Sequence, residues 1–246
     1  MEISLAAEKI GQIGFLPITN SMLLSWIVSA VLICFAVIAT QKMKLVPSGV
    51  QNFFEGVIEF LFNSANEIIG DESETKKYFP LVATVFIFII ANNWMGLLPG
   101  VGTIGINEIK EGHSVLVPIF RSANADLNTT LALAVTTMIA VQVFGVAAIG
   151  TFKHAGKFIN FKNPILFVVG LLELIGEFAR MVSFSFRLFG NIFAGEVLLT
   201  IVAFLVPYIA PLPFFFLELF VGAIQAVVFS MLALVFIKGA IAVPEH

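Results

Sequence analysis

One segment of this sequence, residues 164–207, places charged and amide side chains within an otherwise apolar run. Charges inside a membrane-spanning segment are costly, so they point to a function within the bilayer. Arg187 lies among phenylalanine and leucine residues, with no acidic residue three or four positions away. Because a guanidinium stays charged near neutral pH, Arg187 must find an anion on another helix or another chain. This pattern is typical of proteins that move protons or other small cations.

The other polar residues of this segment fall mostly on one helical face. At ~100° per residue, five of them lie within an arc of ~80°: Glu173, Glu177, Arg180, Arg187 and Asn191. Glu196 lies away from that arc. On the next apolar segment, Glu218, Gly222 and Gln225 share a second narrow face. An ion pair near the membrane surface is the alternative interpretation for Glu177 and Arg180, and for Glu173 with them.

The elements that position these residues predict an all-α integral membrane protein. Hydrophobic residues make up 59% of the 246 residues and charged residues only 12%, far from the ~25% charged residues of soluble domains. A span needs ~20 apolar residues. We expect three spans, one amphipathic surface helix and a C-terminal hairpin of two long tilted helices. Their predicted ranges are 22–40, 81–98 and 127–150 for the spans, 50–69 for the surface helix, and 164–206 and 214–243 for the hairpin.

The first hairpin helix is too long for a simple span. About 43 residues at ~1.5 Å each give ~65 Å, twice the ~30 Å hydrocarbon thickness. Either a strong tilt or a break near Ser183 and Ser185 has to absorb the excess. The surface helix carries Glu55 and Glu59 on its polar face. An acidic face suits a partner subunit or solvent equally well, and it does not suit anionic lipid.

Basic residues predict the orientation in the membrane. Lysines such as Lys44, Lys76 and Lys153 cluster at one side of the predicted spans, whereas the opposite loops carry few. Because basic loops stay in the cytoplasm, we expect the N-terminus outside and the C-terminus in the cytoplasm.

This orientation orders the polar residues along the membrane normal. Glu173 lies near the inside and Arg187 midway, while Glu196 and Glu218 lie in the outer half. A fixed cation in a low-dielectric region repels protons, so the order predicts two half-pathways that do not join.

Residues 184–196, FSFRLFGNIFAGE, resemble the signature of the subunit a family of F-type ATP synthases. Ile224-Gln225-Ala226, Asn93 and residues 125–130 (ADLNTT) are similar to further segments of that family. The resemblance covers residues 47–238. It implies a stator subunit in the whole ATP synthase complex, beside a ring of c subunits and peripheral stalk b-type subunits. The membrane would be a bacterial plasma membrane or the membrane of an energy-coupling organelle.

The resemblance also assigns roles to the polar residues. Arg187 would face the c-ring carboxylates and separate the half-channels. Four residues would line the outer half-channel, Glu196, Glu218, Asn191 and Gln225, and two the inner one, Glu173 and Ser183. No cofactor and no metal ion are expected. Some family members have histidine at the position of Glu196 or Glu218, so the proton route stays open here.

Other functions fit the sequence less well. A stand-alone ion channel or secondary transporter is the alternative, but the internal repeats that transporters often show are not recognisable. The sequence contains no Gly-rich phosphate loop, so ATP chemistry would belong to other subunits. All three histidines, His154 among them, lie outside the predicted spans, which disfavours an intramembrane enzyme. No basic patch suggests nucleic acid, and the choice between H⁺ and Na⁺ as the coupled ion stays open.

Overall fold

The fold is helical. A computed structural model describes residues 7–41, 43–47, 49–98, 100–102, 104–110, 113–158 and 164–242, without the side chains of residues 16, 107–110, 113–116 and 164. Across these ranges the α-helices are α1 (Asn20–Gln41), α2 (Val50–Ile69), α3 (Glu72–Gly96), α4 (Leu127–Ile149), α5 (Thr151–Phe158), α6 (Pro164–Leu205) and α7 (Pro211–Ile241). Five of the described helices, α1, α3, α4, α6 and α7, are long and apolar enough to cross a membrane. The chain is therefore a multi-pass membrane protein.

Two short β-hairpins accompany the helices of this all-α membrane protein. Strands β1 (Lys9–Ile13) and β2 (Leu16–Thr19) pair antiparallel, as do β3 (Gly105–Lys110) and β4 (His113–Pro118). Gly14, in the first turn, has φ 61°, a conformation that glycine adopts without a steric penalty. At residues 105–110 the two isoleucines, Ile106 and Ile109, are three positions apart, so the strict alternation that predicts a half-buried strand is missing there.

Helix α3 begins at Glu72, well before residue 81, the predicted start of this span. Asp71 precedes it, and its side chain accepts hydrogen bonds from the backbone N–H groups of Ser73 (2.7 Å) and Glu74 (3.1 Å). These bonds, chiefly the one from Glu74, hold the pKa of the Asp71 carboxyl below its usual value. Pro80 lies inside the helix. The helix therefore begins directly after the N-cap residue Asp71 and continues through Pro80, instead of beginning after the proline.

Helix α6 is continuous. It runs without a break through Ser183 and Ser185, and at ~1.5 Å per residue its 42 residues span ~63 Å. The structure therefore excludes a break as the solution to its excess length. Helix α7 begins at Pro211, because proline is tolerated in the first turn of a helix. Residue 243, the predicted end of that helix, lies outside the described residues.

Helix α7 lies at the centre of the bundle, where it packs against α2, α3, α4 and α6. The core between α6 and α7 is built from large apolar side chains. The rings of Phe184 and Phe229 are 4.0 Å apart between centroids, and Leu188 is fully buried beside them. Burying such side chains stabilises the bundle in water and in lipid through close packing.

The bundle has two ends that we name by their residues. The turn end is where residues 206–210 join α6 to α7. The lysine end is the opposite one, where two lysine ammonium groups hold helix C-termini. Lys238 Nζ donates to the Ile68 carbonyl (2.6 Å), and Lys157 Nζ donates to the carbonyls of Gly239 (3.3 Å), Ala240 (2.9 Å) and Ala242 (2.8 Å). A cation stabilises the negative end of a helix dipole.

Candidate functional site

Arg187 lies on an exposed face of α6, near the middle of that helix. No ion pair or hydrogen bond engages its guanidinium within the part of the chain that the structure describes. Arg187 is therefore a charge directed away from the bundle, and no anion of the described residues meets it.

Small and polar residues accompany Arg187 on that face. Ser183, Gly190, Asn191 and Ala194 are exposed there, while Phe184, Leu188 and Ile192 point into the core. Small side chains let a second helix approach the backbone closely in a membrane. The face of α6 around Arg187 thus has the shape of a helix-docking surface.

Asn191 and Gln225 connect this face to α7. The Asn191 Nδ2 donates to Gln225 Oε1 at 2.7 Å, and the Gln225 side chain is buried. Gln225 Nε2 is buried and finds no hydrogen-bond partner in the part of the chain that the structure describes. A buried amide donor of this kind costs free energy unless water or another group satisfies it.

Glu218 of α7 lies directly against α6 at Gly195. The residue is 7% exposed. A Cβ atom added at Gly195 would be 1.9 Å from Glu218 Oε2. Only glycine leaves space for the carboxylate here, so Gly195 positions Glu218 between the two helices.

Glu196 forms an ion pair with Arg121, which lies in the loop after β4. The Arg121 Nε is 3.3 Å from Glu196 Oε1, and the Arg121 guanidinium also covers the Phe193 ring at 5.8 Å. In the sequence, Arg121 is one of the few basic residues of the loops opposite the lysine clusters. A single arginine after an apolar strand is too weak a sequence pattern to identify Glu196, 75 residues away, as its partner.

Amide side chains continue the polar region at the turn end. Asn124 Nδ2 donates to Asn93 Oδ1 (2.6 Å), and Asn93 Nδ2 donates to the Gly222 carbonyl (2.9 Å). Three oxygen atoms nearby on the chain are buried and have no hydrogen-bond partner within the described ranges: Asn92 Oδ1, Ser122 Oγ and Asn124 Oδ1. Such atoms are typical sites of bound water. The turn end therefore has the chemistry of a hydrated pathway.

A second polar region lies at the lysine end. Glu177 Oε1 accepts from Arg180 Nη1 at 2.6 Å, so the two residues form the predicted ion pair. Glu173 lines the same cavity of about 90 Å³ as Glu177. His154 and Lys157 of α5 also line it, and burial lowers the pKa of both the imidazole and the ammonium group.

Apolar packing separates the two regions inside the chain. Phe184, Leu188 and Phe229 fill the space between them. Along α6, Arg187 is ~14 Å from Glu196 and ~15 Å from Glu177 at ~1.5 Å per residue. Beside this packing, the Ser185 and Thr130 hydroxyls bond to each other at 3.1 Å.

The structure thus groups the predicted site residues into three places. Glu218, Gln225, Asn191 and Glu196 lie towards the turn end, Glu173 lies at the lysine end, and Ser183 shares the exposed face with Arg187. The sequence analysis missed the roles of Arg121, Asn124, Gly195 and His154. Each of these acts through a contact with a distant part of the chain, which the local pattern does not record.

Comparison with known proteins agrees with the resemblance found in residues 184–196. The profile of the family described as ATP synthase A chain matches residues 22–238. An ATP synthase subunit a of Moorella thermoacetica is 34% identical over 94% of both chains. The protein of the same name from Gloeobacter violaceus is 36% identical, over 96% of this chain and 92% of its own length. That from Campylobacter concisus is 35% identical, over 89% of this chain and 88% of its own length. The chain therefore belongs to the ATP synthase A chain family.

Proposed function

We propose that this chain is the proton-conducting stator subunit of a rotary F-type ATP synthase. It provides two offset half-channels to carboxylates on a ring of c subunits, and Arg187 separates them. ATP synthesis and hydrolysis take place on other subunits. Membership of the ATP synthase A chain family supports the membrane-sector assignment.

The observation that carries the proposal is the exposed, unpaired charge of Arg187 on a face of small residues. A carboxylate arriving ~4 Å from a guanidinium is attracted by ~4 kcal/mol at an effective dielectric constant of ~20. That attraction favours loss of the proton from the carboxylic acid as it reaches Arg187. The released proton then leaves by one half-channel. The carboxyl group therefore passes the arginine in its deprotonated form.

The two polar regions supply the half-channels. Glu218, Glu196 and the amides around them form the outer one, at the turn end, and Glu173 belongs to the inner one, at the lysine end. The apolar packing of Phe184 and Phe229 supports their separation within this chain. A proton then has to travel between them on the rotating ring.

The orientation and the stalk contact belong to the same proposal. The lysine end faces the cytoplasm, with the N-terminus outside and the C-terminus inside, in a bacterial plasma membrane. Helix α2 leaves Glu59 and the neighbouring Phe60 exposed. An acidic and aromatic surface of this kind fits a peripheral stalk b-type subunit.

The test replaces Arg187 in the complete complex, reconstituted into vesicles. Arg187→Ala is expected to abolish ATP-driven acidification while the subunits still co-purify. Arg187→Lys is expected to keep coupling only in part, because lysine loses its proton more readily than arginine when buried. Lys76→Ala, which removes an exposed cation paired with Glu72, is the control and should pump normally. Coupled pumping by Arg187→Ala at the wild-type rate contradicts the proposal, and proton conduction by the purified chain alone would favour a stand-alone channel.

A further inference from the structure

The cavity at the lysine end is lined by residues with buried polar atoms that have no hydrogen-bond partner among the described residues. It measures about 90 Å³ and lies between α4, α5, α6 and α7. A cavity volume of only ~10–15 Å³, measured as the space open to the centre of a water molecule, is enough to hold one water molecule. Glu177 Oε2 and His154 Nδ1 are both buried and unpartnered, and both residues line this cavity.

His154 is 5% exposed, and its ring is held by Gln142, which lines the same cavity. Gln142 Oε1 lies 2.6 Å from His154 Nε2 and accepts its hydrogen. Burial lowers the pKa of the imidazole and so favours the neutral ring, in which Nδ1 is an acceptor when Nε2 carries the hydrogen. A neutral acceptor nitrogen and a carboxylate oxygen around one polar cavity are suitable partners for water.

Glu177 uses only one of its two oxygens in the ion pair. Oε1 accepts from Arg180, and Oε2 has no hydrogen bond. Glu173 lies one helical turn away, and two ionised carboxylates at this spacing repel each other. A proton delivered to Glu177 Oε2 relieves that repulsion without breaking the contact between Oε1 and Arg180.

We propose that Glu177 is a second proton-exchanging carboxylate of the inner half-channel, and that the cavity beside it holds the water that delivers its protons. The step is a simple proton transfer: a hydronium ion in the cavity gives its proton to Oε2 and becomes water, and the reverse transfer regenerates the carboxylate. This inference rests on the proposed function of the chain.

Helix α5 is the element that encloses this water. Lys157 binds the last carbonyls of α7 and lines the cavity with Phe158. The charged or titratable groups lining the cavity with Glu177 are Glu173 and Arg180 on α6 and His154 and Lys157 on α5. Helices α4 and α7 contribute only Gln142, Gly239 and Ala240 to its lining.

The test compares Glu177→Gln with Glu72→Gln in the complete complex, in vesicles that expose the cytoplasmic side to the medium. Glutamine keeps an oxygen for Arg180 and loses the exchangeable proton. Glu72 is an exposed glutamate near the same end, outside the cavity. ATP-driven acidification by Glu177→Gln is expected to fall ~10-fold or more at pH 8, where protons are scarce, and much less at pH 6. Glu72→Gln should match the wild type at every pH.

A second measurement needs no variant. Radiolytic hydroxyl-radical labelling of the wild-type complex, read by mass spectrometry, should label His154 and Phe158 from water held beside them. Absence of label on both residues means a dry cavity and overturns the inference, as does an unchanged pH profile in Glu177→Gln. If the wild type pumps and Arg187→Ala does not, either result refutes the role of Glu177 alone. A wild-type complex without ATP-driven pumping refutes the proposed function itself.

Discussion

Gly195→Ala tests whether the position of the Glu218 carboxylate is set by the space that glycine leaves. The new Cβ would be 1.9 Å from Oε2 and 2.1 Å from Cδ, whereas ordinary contact begins near 3.4 Å. The carboxylate must therefore retreat by about 1.5 Å. Because it is the end of a flexible side chain, we expect it to move while the helices stay packed, at a cost of ~1–3 kcal/mol. A displacement of ~1 Å in a reacting group lowers a rate by up to ~100-fold.

The assay is ATP-driven acidification of reconstituted vesicles, with co-purification as the check on assembly. We expect Gly195→Ala to pump at least ~10-fold more slowly than the wild type. Glu218→Asp removes one carbon–carbon bond of ~1.5 Å, the same length as the retreat, so the double variant should recover most of the lost rate. Gly56→Ala is the matched control, because a Cβ there meets nothing within 4 Å. Wild-type pumping by Gly195→Ala, or a double variant no faster than the single one, would refute the reasoning.

Two further predictions concern the contacts at the two ends. Arg121 and Glu196 should show a coupling energy of ~1 kcal/mol in a double-mutant cycle of Arg121→Gln and Glu196→Gln, since the guanidinium is buried and the carboxylate is partly exposed. Thermal unfolding of the purified complex measures this coupling energy, and additive effects of the two substitutions would contradict the prediction. The lowered pKa of His154 means that the unfolded chain binds its proton more readily than the folded chain. The stability that His154 contributes is therefore present above pH ~6.5 and lost as the pH falls below it. Hydrogen exchange of the α5 amides, corrected for intrinsic rates, should rise on acidification in the wild type and stay level in His154→Gln.

The sequence alone determined the membrane character and the long hairpin helices, and it singled out Arg187 as a charge within an apolar run. Apolar runs of span length have few alternatives to helices in lipid, because every backbone N–H and C=O group needs a partner within its own segment. A charge such as Arg187 is expensive there, so it stands out against its phenylalanine neighbours without any knowledge of packing. The i, i+3 spacing likewise predicted the ion pair of Glu177 with Arg180, since one helical turn brings such residues together.

The tertiary structure decided which distant side chains meet. The ion pair between Arg121 and Glu196 joins a loop to α6, and the contact between Gly195 and Glu218 joins two helices, neither of which the local spacing contains. The unbroken course of α6 was also open in the sequence, because serine is compatible with both a continuous helix and a break. His154 became part of a polar cavity only because α5 folds back over α4, α6 and α7. Helix periodicity fixes the face on which a residue lies, whereas packing between helices fixes what that face touches.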